Sequence, residues 1–303
     1  MNQNTISSRR PVNVATDLKL RPIAGRIGAE VQELALTSDL SPDTIQALRN
    51  ALTHYKVLFF RDQHHVDAAT QTAFGKTWGE PVGHPTAPGQ TGDHLLELSA
   101  EHGGKANVWH TDMTFLESYP AVSILRAVNV PPFGGDTVWA NTAAAYEHLP
   151  DHLKQLADGL WSIHSNDYDY AVNQTRPDQA MDAYHATFAS SVFEAEQPLV
   201  RLHPISGEKS LILGGFFKKF SNLSLSDSRH LFEIFQTHIT RLENTVRWQW
   251  KKGDVAIWDN QSTQHYALDD YGNYPRVMQR LTLRGEPSLS TDGRYSRQLL
   301  PAK

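Results

Sequence analysis

The sequence predicts a mainly β protein: a double-stranded β-helix (jelly-roll) core of two packed sheets, with flanking helices. Three observations carry this. Short runs of bulky apolar and β-branched residues bounded by Gly, Pro and Asn recur from Leu18 to Leu283. Only a few segments keep a helical period. Residue types able to bind a metal fall inside or beside the strand patterns, as in jelly-roll proteins.

Composition narrows the classes. A chain of 303 residues accommodates one large domain or two small ones, and no internal repeat or linker divides it. The expected organisation is a polar tail over 1–17 and one jelly-roll domain over 18–303. Hydrophobic content of 40% and charged content of 20% are ordinary for a soluble globular protein. A net charge of −5 without a basic run argues against a nucleic-acid or anionic-membrane partner. No apolar stretch is long enough to cross a bilayer. Met1 to Val14 lacks the apolar core of a secretion signal, so the expected location is cytoplasmic. The absence of cysteine excludes disulfides, iron–sulfur clusters and thiolate zinc sites, which leaves His and carboxylates to hold any metal.

Taken in order, Leu18 to Leu36 reads as two short strands around the turn Gly25 to Gly28. Ser41-Pro42 opens a helix with Ile45, Leu48, Leu52 and Tyr55 on one face. Lys56 to Arg61 is a buried strand, and a helix follows from Asp67 to Trp78. Gly79 to Gly92, which contains His84, is loop. Strands are expected at Leu95–Leu98, Trp109–Phe115, Ala121–Val128 and Asp136–Asn141. Asn141 or Thr142 caps a short helix, and Asp151 to Leu160 forms another. Residues 165–197 hold aromatics without a sustained period and read as a lid-like insert. Leu199–His203 and Lys209–Leu213 are strands joined by a turn. Ser226–Leu242 is a helix with Leu231, Ile234, Phe235 and His238 on one face. Thr245–Trp250 and Val255–Trp258 read as a hairpin, and Arg276–Leu283 as the last strand.

The chemistry is expected at Trp109-His110-Thr111-Asp112-Met113-Thr114-Phe115. In an extended chain alternate side chains share a face, so His110 and Asp112 point the same way. With a second histidine they complete a 2-His-1-carboxylate set, which leaves open positions on a non-haem Fe(II). Composition alone supplies roughly 1.6 His-x-Asp/Glu triplets, so the spacing decides nothing by itself. The other triplet, His65-Val66-Asp67, precedes a helix, where Asp67 reads as an N-cap. His265 is the candidate for the third ligand, because Arg276, Met278, Arg280 and Thr282 follow on one strand face. Two guanidiniums there form either an anion pocket or the solvated face of an edge strand.

These residues resemble the taurine dioxygenase family of Fe(II)- and 2-oxoglutarate-dependent oxygenases, and within it the branch acting on alkyl sulfate esters. The similarity runs from about Leu20 to Glu286 and rests on four blocks. They are Trp109-His110-Thr111-Asp112, Gly134-Gly135-Asp136-Thr137, His203-Pro204-Ile205-Ser206-Gly207, and Trp258-Asp259-Asn260 through Gln264-His265-Tyr266-Ala267. The resemblance implies His110, Asp112 and His265 as iron ligands, and Thr137 with Arg276 as anchors of the far 2-oxoglutarate carboxylate. It implies His84 and Arg280 as a cationic clamp on a sulfonate or sulfate. Met113, Phe115 and Phe216 are the expected pocket wall, or ordinary core. The chain departs from the taurine pattern at Ala87 and Ala106, where a tyrosine and an asparagine would serve an amine. An unpaired buried ammonium is costly, so an apolar tail fits better. The implied reaction uses Fe(II), 2-oxoglutarate and O2 to hydroxylate the carbon bearing the sulfate oxygen, releasing aldehyde, sulfate, succinate and CO2. The implied assembly is a homo-oligomer, dimer or tetramer. Three rivals remain: a taurine, alkanesulfonate or other small-anion oxygenase, a His2Asp zinc hydrolase, and a jelly-roll binding module without chemistry, disfavoured because all three metal positions are filled.

Overall fold

The computed structural model describes residues 18–86, 94–99, 106–168 and 191–301. The expected tail over 1–17, Ala87, and residues 169–190 of the expected insert lie outside them.

The chain enters through β1 (Lys19–Pro22) and β2 (Ala29–Gln32), paired antiparallel as expected. Helix α1 (Pro42–Tyr55) begins at Ser41, whose hydroxyl accepts the Thr44 N–H at 3.1 Å. That bond satisfies one of the donors a helix start leaves open. Strand β3 (Val57–Phe60) is buried at every position, as a strand covered on both faces must be. Leu58 and Phe60 meet a core shared with α1 and with α2 (Ala68–Trp78), while Val57 and Phe59 meet the opposite one.

Around β3 grows the large sheet. It adds β4 (Pro81–Val82), β5 (Leu96–Ser99), β6 (Val122–Asn129), β14 (Val255–Asp259) and β16 (Val277–Leu283). The strand order is β1-β2-β3-β14-β6-β16-β4, with β5 also on β16. Facing it is a three-stranded sheet of β13 (Thr245–Trp248), β7 (Thr137–Asn141) and β15 (Thr263–Ala267), in that order. Aromatic residues fill the space between: Phe59 stacks on Trp248 at 4.2 Å and meets Trp139 edge-on at 5.3 Å. Such pairs add about 0.5–1.5 kcal/mol each beyond burial. This is the expected jelly roll, with α1 and α2 buttressing the outer face of the large sheet.

Beyond it, β8 (Trp161–Ser165), β9 (Glu194–Pro198), β12 (Phe217–Phe220) and β18 (Arg297–Leu300) form a four-stranded sheet. β10 (Val200–Leu202), β11 (Lys209–Leu211) and β17 (Leu289–Ser290) form a three-stranded one. Helices α3 (Thr142–Glu147), α4 (Asp151–Asp158) and α5 (Leu225–Ile239) complete the described α-helices, and short 3-10 turns lie at Asn166–Tyr168 and Leu242–Asn244.

Five expectations are corrected, the first being the loop over Gly79–Gly92, where Pro81–Val82 pairs with β16 as β4. Trp109–Phe115 is not a strand: only His110 bridges, and a turn follows in which Met113 has φ 54°. β13 and β14 do not pair with each other; they lie in opposite sheets, and the Lys251–Asp254 turn carries the chain across the core. β14 is buried along its whole length and needs a neighbour on each edge, which β3 and β6 supply. Arg276–Leu283 is followed by two more strands, β17 and β18, both too short to show a pattern. On α5 the inner face is Ser228, Phe235 and Ile239, whereas Ile234 is exposed. The Ser228 hydroxyl accepts the Phe220 N–H at 3.0 Å and draws that face inward.

Candidate metal centre

The site is assembled from two backbone hydrogen bonds and one turn. The N–H of His110 donates to the His265 carbonyl at 3.0 Å and the N–H of His265 to the His110 carbonyl at 2.8 Å. The two histidines are thus a directly opposed antiparallel pair, and their rings sit 4.1 Å apart. His265 is carried at the centre of β15, braced by the Trp258 ring at 5.0 Å.

Asp112 reaches the histidines through the turn, not through strand alternation. Asn260 holds that turn from both sides: its Oδ1 accepts the Asp112 N–H at 3.0 Å, and its Nδ2 donates to the Asp112 carbonyl at 3.2 Å. Nothing in the residue spacing gives Asn260 this role; the signals for it are its place just after a buried strand and its membership of the Trp258-Asp259-Asn260 block. Asp112 Oδ1 then lies 3.7 Å from Nε2 of each histidine. The potential ligand atoms of His110, Asp112 and His265 all lie within 4.8 Å of one another. The rejected triplet behaves as its context predicts: Asp67 caps α2, and His65 Nε2 faces the Leu36 carbonyl at 3.1 Å.

The donor set fits a divalent metal. His110 Nδ1 contacts the Val108 carbonyl at 2.7 Å, which places the proton on Nδ1 and leaves the Nε2 lone pair facing Asp112. Burial lowers the pKa of both imidazoles, which favours the neutral form a metal requires. Against the cost of burial, the Arg280 guanidinium, with help from the Ser123 hydroxyl, holds the Asp112 carboxyl below the usual carboxylate range. Arg280 donates to Asp112 Oδ1 at 2.6 Å, and the Ser123 hydroxyl donates to Oδ2 at 3.1 Å.

Of the anion-binding candidates, Arg280 and His84 lie beside this centre, while Thr137 pairs with Ala267, two residues past His265 on β15. Arg280 Nε is buried without a hydrogen-bond partner among the described residues. Desolvation and the Arg280 charge push the His84 pKa down to about 3. His84 Nδ1 accepts the Thr86 N–H at 3.3 Å, so its proton sits on Nε2 and the ring is a neutral donor. The expected clamp therefore carries one charge, not two. Arg276 is oriented by Nε donation to the Gly135 carbonyl at 3.1 Å, two residues before Thr137. The Thr137 hydroxyl accepts from Trp250 Nε1 at 2.9 Å, which leaves its own hydrogen to be donated. Met113, Phe115 and Phe216 are buried in one cluster with Tyr119 and Ile212. Phe115 lies 6.0 Å from the His84 ring and Phe216 lies 6.2 Å from the His110 ring.

Gly214 is where backbone freedom matters most. Its φ is +109°, and an added Cβ would sit 2.8 Å from the Trp109 carbonyl and 3.1 Å from His110 Cα. Gly214→Ala is expected to displace His110 and weaken Fe(II) binding at least tenfold, within the roughly 10–100-fold range of outer-shell losses. Anaerobic Fe(II) titration checks this, and an unchanged affinity would show that the approach is not critical.

The comparisons agree with this geometry. The family model described as "Taurine catabolism dioxygenase TauD, TfdA family" matches residues 19–282. An alpha-ketoglutarate-dependent sulfate ester dioxygenase of Pseudomonas putida is 54% identical, covering 93% of this chain and 95% of that protein. An alkylsulfatase of Acinetobacter baylyi is 48% identical, covering 95% of this chain and 92% of that protein. The crystal structure of a putative alpha-ketoglutarate-dependent taurine dioxygenase from Burkholderia xenovorans superposes with a TM-score of 0.81 at 32% identity, covering 94% of this chain and 99% of that one. With residues 19–282 matched by the family model and relatives of 54% and 48% identity covering nearly its whole length, the chain belongs to the TauD/TfdA dioxygenase family.

Proposed function

We propose that the protein is an Fe(II)- and 2-oxoglutarate-dependent dioxygenase that cleaves alkyl sulfate esters to an aldehyde and inorganic sulfate. The observation that carries this reading is the charge balance of the site. A divalent metal with Arg276 and Arg280 is opposed among the named site residues by one carboxylate, Asp112, while His84 is neutral. A dicarboxylate and a singly charged sulfate ester together neutralise the remainder. The ammonium of taurine would restore a positive charge where Ala106 offers only a methyl, its carbonyl being engaged by the Ala267 N–H at 2.9 Å. The printed activities of the Pseudomonas and Acinetobacter relatives support the same substrate class.

In this reading His110, Asp112 and His265 hold Fe(II). Bound iron with 2-oxoglutarate and O2 supplies the oxidising chemistry, the cosubstrate leaving as succinate and CO2. The protein's residues supply position and charge. Arg276 and the Thr137 hydroxyl hold the far carboxylate of 2-oxoglutarate. Arg280 and the His84 Nε2–H hold the sulfate group. Met113, Phe115 and Phe216 exclude water and flank the tail, each buried methylene contributing up to about 0.8 kcal/mol. Hydroxylation of the carbon bearing the sulfate oxygen gives a hemiacetal ester. Its C–O bond to sulfate breaks as the hydroxyl proton departs, leaving the aldehyde.

With hexyl sulfate, iron and 2-oxoglutarate, equal amounts of hexanal, sulfate and succinate are expected by gas and ion chromatography. Hexanol with sulfate and no succinate would instead identify the His2Asp zinc hydrolase. The expected cytoplasmic location and dimeric or tetrameric assembly belong to the same proposal. Among the described residues no helix is long and apolar enough to cross a membrane, and sedimentation measures the assembly.

A further inference from the structure

The His203-Pro204-Ile205-Ser206-Gly207 block takes no part in the chemistry above, yet its histidine is only 4% exposed. His203 follows β10, and its Nε2 lies 3.0 Å from Oδ2 of Asp259, which is also 4% exposed. The N–H groups of Ile205 and Ser206 donate to His203 Nδ1 at 3.3 and 3.1 Å, so the ring proton sits on Nε2 and is donated to Asp259.

Asp259 ends β14, and its carboxylate organises the turn that follows. Oδ1 accepts the Gln261 N–H at 2.9 Å and Oδ2 accepts the Ser262 hydroxyl. The Asp259 carbonyl accepts the Thr263 hydroxyl at 2.7 Å. This turn makes two connections to the metal ligands. Asn260 grips the Asp112 backbone from both sides. Thr263 opens the strand that carries His265, and its carbonyl accepts the Thr111 hydroxyl at 2.8 Å.

We infer that His203, acting through Asp259, is a positioning residue for the metal centre: it fixes the 259–263 turn that sets Asp112 against His265. The inference rests on the assignment of His110, Asp112 and His265 as ligands. A role confined to fastening β10 to β14 would lower thermal stability and leave metal affinity alone. A positioning role changes affinity and coordination in the folded protein, by roughly the 10–100-fold typical of outer-shell partners.

The test is Co(II) titration of the full chain, read by calorimetry and by visible absorption, with circular dichroism confirming the fold. His203→Ala is expected to raise the Co(II) Kd at least tenfold and to alter the visible spectrum. His203→Gln, which keeps an N–H donor for Asp259, is expected to recover most of the affinity. Wild-type Kd and spectrum in folded His203→Ala would overturn the inference. Should that variant not fold, Ser262→Ala carries the test: it removes one donor to Asp259 and is expected to bind at least threefold more weakly, and unchanged binding overturns the inference. His110→Ala separates the two levels. If it binds Co(II) as tightly as wild type, the ligand assignment falls and takes the inference with it. If His110→Ala loses binding while the His203 and Ser262 variants keep it, the inference alone fails.

Discussion

His110→Ala is expected to abolish turnover and to weaken Fe(II) binding by more than the roughly 10–100-fold that follows loss of an outer-shell partner. The variant removes an imidazole whose tautomer is already set by the Val108 carbonyl and whose Nε2 faces Asp112. It leaves the Asp112 carboxylate with its hydrogen bonds from Arg280 and Ser123 and with His265 at 3.7 Å. The backbone bridge to His265 needs no side chain, so the fold should persist. His65→Ala is the control: its ring meets the Leu36 carbonyl, and turnover should be close to wild type. Anaerobic iron titration with turnover assays checks both. Loss in His65→Ala with retention in His110→Ala would mean that the wrong triplet had been assigned.

Arg276→Ala is expected to raise the 2-oxoglutarate requirement by at least about two orders of magnitude. Removing one partner of a buried charge pair costs about 3–5 kcal/mol, and about 1.4 kcal/mol is a factor of ten. Desolvation lowers the Arg276 pKa, yet a guanidinium stays charged in a protein, so the half-buried residue offers a cation to a carboxylate. Arg280→Ala should act differently. Its guanidinium touches Asp112 directly, so its loss should raise the KM for the sulfate ester and also loosen the metal. Steady-state kinetics with each substrate varied separates the two, and the reverse pattern would exchange the two arginine roles.

The fold and most of the candidate site were legible in the sequence for a common reason: the signals were local. Ser41-Pro42, Asp67 and Asn141 cap helices because their side chains reach N–H groups two or three residues on. The alternation of Met278 against Leu281 and Leu283 survives in β16, whose two faces meet opposite cores despite a register shift at Val277/Met278. What was not legible depends on distant partners. Alternation was taken to bring His110 and Asp112 together, whereas the work is done by Asn260, 148 residues along the chain from Asp112. The expected hairpin failed because turn chemistry at Lys251–Asp254 does not reveal that each arm pairs in a different sheet. The charge of His84 could not be read from its residue type either, since it follows from burial beside Arg280.

The central claim is that the site takes an alkyl sulfate in preference to taurine, and a single competition measures it. Enzyme loaded with Fe(II) and 2-oxoglutarate is given hexyl sulfate and taurine at equal concentration, and succinate, sulfate and sulfite are quantified together. Sulfate with an aldehyde, matched by succinate, is the expected result of Arg280 and His84 holding the sulfate while Phe115 and Phe216 accept a tail that taurine lacks, as proposed above. Sulfite from taurine as the main product would contradict the substrate assignment, while leaving the iron and 2-oxoglutarate chemistry in place.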